Sequence, residues 1–183
     1  MSWAGFERAQ AFSLQPRFDG QGFHVTPGDP GGATIEGVTF GTFTEWRVRN
    51  GNATPDLNDF RNCRPEELED LRHAMFWLPC AGDRLPVGPD LISWEIAYGS
   101  GTGWAARLLK RALGVPENFR LDAATVRTAC CQDAASLVRK LSAVHLTYVD
   151  RLAGAHRFGR GWAIRIAAAE QTALKWIQEQ HAA

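Results

Sequence analysis

The chain has 183 residues, 45% of them hydrophobic and 22% charged, with a formal net charge of zero. That is enough apolar material to bury a substantial core in one domain, which excludes a disordered chain. No apolar run is long enough to span a bilayer, so membrane insertion is excluded as well. Charge is nevertheless segregated, since residues 1–103 carry a net −6 and residues 104–183 a net +6. The basic residues are scattered over several helical stretches with no aromatic-basic run for base stacking. Nucleic acid is therefore not the expected partner, and the two halves are read as attracting each other.

Taken in order, Ser2 to Leu14 carries Trp3, Phe6 and Phe12 at helical spacing and ends before Pro16. The stretch from Gly20 to Thr39 is too rich in Gly and Pro for a regular element and reads as a shaped loop. Thr39 suits the N-cap of a helix running to about Arg49, stopped by Asn50-Gly51-Asn52. A polar connector reaches about Asn62, and Pro65 then opens a helix to about Leu78 with Glu66, Glu67 and Glu69 near its positive end. Pro79 to Pro89 is a linker too short to separate domains.

An apolar helix is expected over Leu91 to Tyr98, opened by Asp90 or the residue before it and ended by Gly99-Ser100-Gly101. Glu95 is anomalous there, because an unpaired buried carboxylate is costly; an exposed helix edge would remove the anomaly. Thr102 to Leu113 forms the next helix with Gly114 as its stop, and Asp122 caps another over Ala123 to about Cys131. Asp133 caps a longer helix bearing Leu137, Leu141, Val144, Tyr148 and Leu152. Gly159 and Gly161 punctuate the start of the last helix, whose buried stripe is Trp162, Ile166, Leu174 and Ile177. No strand is predicted, so the fold class is all-α.

Cys63, Cys80, Cys130 and Cys131 lack paired metal-binding spacing, and the five histidines show none either, so no metal or other cofactor is expected. The beginning of the chain lacks the charged, apolar and small-residue order of a secretory signal. Cytoplasmic synthesis with reduced thiols follows as an expectation.

Asp29-Pro-Gly-Gly-Ala-Thr34 followed by Gly37-Val-Thr39 resembles the D-P-G-G-A-T-x-x-G-[IV]-T signature of glycoside hydrolase family 108, which contains lysozyme-like muramidases and phage endolysins. The similarity continues in order through Asp83-Arg-Leu-Pro86, Ala97-Tyr-Gly-Ser-Gly101 and Phe158-Gly-Arg-Gly-Trp162 with Arg165. The resemblance implies a single lysozyme-like helical domain with a Gly/Pro-rich active-site loop. Within it, residues 1–98 correspond to the hydrolase region and residues 99–183 to a peptidoglycan-binding region packed in the same unit. It also implies peptidoglycan as the ligand, reached after delivery by a holin, a virion or a secretion system.

In that family the loop opens with E-G-G-Y, whose Glu is the catalytic acid. Counting back from Asp29 through Phe23, which stands for the Tyr, places the acid position on Gly20. Glycine cannot donate a proton, so weak or lost hydrolysis is implied, with a non-catalytic glycan-binding or structural protein of a phage particle or secreted assembly as the alternative. By the same resemblance Asp29 and Thr34 would orient water or stabilise positive charge, while Asp29 alone also suits an Asx turn. Asp19, Glu36 and Glu95 are the carboxylates within reach to replace the acid. Gly20, Phe23, His24, Gly31, Gly32 and Glu95 are the expected substrate contacts.

Overall fold

The computed structural model describes residues 3–25 and 31–182. Helix α1 (Trp3–Ser13) buries Phe6, Ala9 and Phe12. Beyond a turn come three short strands, β1 (His24–Val25), β2 (Ala33–Ile35) and β3 (Val38–Thr39), which pair antiparallel in the order β1-β2-β3. The sheet corrects the strandless expectation: strands of two or three residues carry no readable alternation, and their order comes from a turn instead. Ile35 pairs with Val38 across Glu36 and Gly37. Both turn residues have positive φ, +47° and +80°, the backbone of a two-residue hairpin.

Thr39 then caps α2 (Phe40–Arg49), its side chain accepting the Thr42 N–H as the sequence predicted. The connector contains a helix absent from the sequence expectation, α3 (Leu57–Arg61), held by a capping box between Asp56 and Asp59. Its one buried residue, Phe60, meets Phe40 and Phe43. Helix α4 (Pro65–Arg72) widens into a π-helical turn over His73–Trp77, which seats Trp77 in the core.

Helix α5 (Pro89–Ser100) is the axis of the molecule, with every residue from Pro89 to Tyr98 buried. It packs against α1 and, further along the chain, against α6 (Thr102–Leu113), α8 (Ala134–Val149) and α9 (Ala155–Ala182); α7 (Ala123–Cys130) covers α6 and α8. Gly101, at φ +93°, makes the corner between α5 and α6. The last helix differs from its expectation, since α9 runs for 28 residues and continues through Gly159 and Gly161. Packing along α8 outweighs the roughly 1 kcal/mol by which each glycine disfavours a helix.

The four cysteines are free; Cys80 is buried, while Cys130 and Cys131 are exposed. Among the described residues no helix is long and apolar enough to cross a membrane, and no cluster of His, Cys, Asp and Glu could hold a metal ion.

Candidate active site

The site begins where α1 stops. The Ser13 carbonyl accepts the backbone N–H of Asp19 at 3.0 Å, so residues 14–20 fold back over the helix end. This turn, with Pro16 in it, delivers Asp19 to the edge of a cleft of about 580 Å³. The sheet supplies one wall through His24 and Thr34, and α5 supplies the floor through Ile92, Glu95 and Tyr98. The opposite wall belongs to α8 and α9, with His145 from the first and Phe158, Trp162 and Arg165 from the second.

Arg165 joins the walls. Its Nη1 donates to Asp19 Oδ2 at 2.5 Å, while Nε and Nη2 donate to Glu95 Oε2 and Oε1 at 2.5 and 3.1 Å. Glu95 is only 4% exposed. The Ser13 hydroxyl also donates to Glu95 Oε1 and in turn accepts the Trp94 Nε1–H at 2.7 Å. A continuous polar chain thus runs from the buried indole of Trp94 to the half-buried carboxyl of Asp19. Paired in this way, a buried carboxylate no longer carries the cost it would have alone.

Burial raises the pKa of Asp19 above the ordinary aspartate value, and the Glu95 charge adds to the rise; Arg165 and, more weakly, His24 pull it down. Burial opposes the charge of Arg165, yet Glu95 and Asp19 raise its pKa above that of a free guanidinium. Burial lowers the His145 pKa to about 4, which leaves the ring neutral at pH 7. Burial likewise raises the pKa of the Tyr98 phenol, whose O–H donates to the Glu36 carbonyl and pins the hairpin turn to α5.

Of the residues singled out in the sequence, Asp19, His24, Gly31, Thr34 and Glu95 share the cleft. Glu95 is not at an exposed helix edge, and both its oxygens are already engaged. Glu36 turns aside to pair with the buried Arg72 at 3.0 Å. Phe23 packs against Phe60 beneath Arg61. Gly20 has no room for a side chain, since a Cβ there would lie 2.1 Å from the Leu14 carbonyl oxygen. Gly32 makes the bend before β2, its carbonyl accepting the Thr34 hydroxyl at 3.4 Å. Asp29 lies outside the described residues.

By resemblance, the sequence placed Tyr98, Phe158, Trp162 and Arg165 in motifs of the peptidoglycan-binding segment but gave none of them, nor His145, an individual role at the site. A signal for Arg165 existed: a carboxylate inside an apolar helix requires a cation, and Arg165 adjoins Ile166 on the buried stripe of another helix.

With a half-buried acid, a sheet wall and an aromatic helix wall facing one cleft, comparison with known proteins becomes informative. Residues 19–101 match the family model of Glycosyl hydrolase 108. The match to that family begins at Asp19, at the cleft, and ends at the corner between α5 and α6. A solved structure of SagA from Brucella abortus is similar over almost the whole length, with 25% identity, 96% of this chain and 97% of that chain covered, and a TM-score of 0.85. No curated protein matches the chain in sequence. The fold is mostly helical and lysozyme-like, as the motifs resembling the glycosyl hydrolase family implied.

Proposed function

We propose that this protein is a lysozyme-like glycosidase acting on the glycan strands of peptidoglycan, with Asp19 as the general acid. The observation that carries the reading is Asp19 itself: a carboxyl of raised pKa at the edge of an open cleft. Protonating a leaving glycosidic oxygen requires a carboxyl that can carry a proton, and partial burial raises the Asp19 pKa in that direction. Thr34 and His24 face the same space from the sheet and are suited to orient water or a sugar hydroxyl. Asp29, retained in the loop motif, is the candidate second carboxylate.

The opposite wall suits a polysaccharide. Phe158 and Trp162 have ring centroids 5.9 Å apart and both border the cleft, giving sugar rings an apolar face to stack on. Relative to the count that put the acid at Gly20, this reading moves it back by one residue, with Gln21 as an extra residue between Gly20 and Gly22. The packed backbone at Gly20 supports that shift, because no acid fits there.

One observation favours a second reading. Arg165 holds Asp19 at 2.5 Å, and an Asp is a methylene shorter than the family's Glu, an arrangement that also fits a cleft that binds glycan without cleaving it. Release of reducing ends from purified peptidoglycan, measured alongside pelleting with the same material, separates the two. Turnover by the wild type that falls by a factor of about 10² to 10⁴ in Asp19→Asn, with pelleting retained, is the expected result. Pelleting without turnover establishes the binding-only reading. Neither pelleting nor turnover directs attention to a protein partner, such as a component of a phage particle or a secretion assembly.

A further inference from the structure

Arg165 poses a problem for any acid beside it. A guanidinium at 2.5 Å, partly exposed in the cleft, favours the ionised form of a neighbouring carboxyl. A carboxyl that stays ionised cannot protonate a leaving group. The second carboxylate on the same guanidinium answers this. Glu95 takes Nε and one N–H of Nη2 through its two oxygens, which fixes the plane of the guanidinium, so that Nη1 meets Asp19 in a set direction and with part of the charge offset. Ser13 and Trp94 hold Glu95 from behind, and neither Trp94 nor Ser13 is exposed.

We propose that Glu95 is a positioning residue for the Asp19 acid: it clamps Arg165 in a two-pronged ion pair, fixing the direction of the Asp19 contact and offsetting part of the guanidinium charge that Asp19 would otherwise meet. This inference rests on the reading of Asp19 as the acid. The charged and titratable groups around Asp19 are Arg165 from α9, Glu95 from α5 and His24 from β1. Tyr98 of α5 also interacts with Asp19, and His145 of α8 adjoins the Arg165 and Glu95 pair.

The sign is fixed by electrostatics. Replacing Glu95 by Gln leaves Arg165 with its full charge against Asp19, so Asp19 gives up its proton at lower pH. The alkaline limb of the kcat/KM profile on peptidoglycan is expected to move down by about one pH unit. Carbon-13 NMR titration of the Asp19 carboxyl, assigned by its disappearance in Asp19→Asn, is expected to move in the same direction and needs no turnover. A purely structural role for Glu95 predicts a less stable protein with an unmoved limb and an unmoved Asp19 titration, which would overturn the proposal. Where Glu95→Gln does not fold, the double variant Glu95→Gln/Arg165→Gln buries no unpaired charge. Removing the ion pair there should let Asp19 hold its proton to higher pH than in the wild type, and an unchanged titration again overturns the proposal. An Asp19→Asn variant that cleaves as well as the wild type removes the glycosidase reading instead. An inactive Asp19→Asn together with an unshifted Glu95→Gln removes this inference alone.

Discussion

At the scale of single residues, burial decides what each ionisable group can do, and two groups make that measurable. His145 has its pKa lowered by burial to about 4 from the ordinary 6.5. The unfolded chain therefore takes up a proton before the folded one does, and the stability that His145 contributes is full above pH 6.5 and lost as pH falls towards 4. Asp90 acts in the opposite sense: burial raises its pKa to about 6, so its contribution is full below the ordinary 3.8 and lost as pH rises to 6. Comparing variant with wild type isolates the histidine. Urea denaturation at pH 7 and pH 4.5 should show His145→Gln losing less stability on acidification than the wild type, by on the order of 2 kcal/mol. Gly20 gives a second residue-level expectation. Gly20→Glu cannot supply an acid, because its Cβ would meet the Leu14 backbone oxygen at 2.1 Å. It should lower the melting temperature by several degrees with no gain in reducing-end release.

The element that most directly shapes the cleft is the β2-β3 hairpin, and its turn is locked from both sides. Gly37 sits at φ +80°, and a Cβ there would lie 2.8 Å from the Tyr98 hydroxyl. Gly37→Ala therefore meets backbone strain and a clash at once, and should cost about 2 kcal/mol or more by urea denaturation. Because the same change displaces Thr34 on β2 from the cleft wall, peptidoglycan pelleting should weaken too. Gly161 makes an instructive control, since a Cβ there meets nothing within 4 Å. Gly161→Ala in α9 should raise stability by about 0.5–1 kcal/mol. The sequence placed Gly37 in a shaped loop and Gly161 as punctuation at the start of a helix. Only the pairing of Ile35 with Val38 on one side, and the packing of α9 along α8 on the other, makes the first a turn and the second an ordinary helical position.

For the whole molecule, the cleft depends on both halves of the chain. Asp19, Thr34 and Glu95 come from the region that matches the glycosyl hydrolase family, whereas His145, Trp162 and Arg165 come from beyond its end. The two ion pairs of Arg165, to Asp19 and Glu95, bridge the basic and acidic halves at the site. We propose that the two regions fold as one unit. A fragment of residues 1–101 lacks the α6, α8 and α9 faces that bury α5 and should show no cooperative unfolding transition. Thiol labelling of the intact chain should follow burial: Cys130 and Cys131 react quickly, and Cys80, whose pKa burial raises to about 12, reacts only on denaturation. The sequence by itself determined the helices with clear caps and stripes, the loop motif and the catalogue of candidate acids, because those signals are local: a cap needs Thr39 and its next turn, and a stripe needs only regular spacing. It placed the family's acid position on Gly20 by counting along the chain, and counting has no access to the turn that packs Gly20 against the Leu14 carbonyl and carries Asp19 into the cleft. Only the tertiary structure decided which carboxylates meet, because the answer lay in Arg165, separated by 146 residues from Asp19 and by 70 from Glu95. Ion pairing across such separations leaves no periodicity in the sequence; it exists only once α5 and α9 have packed.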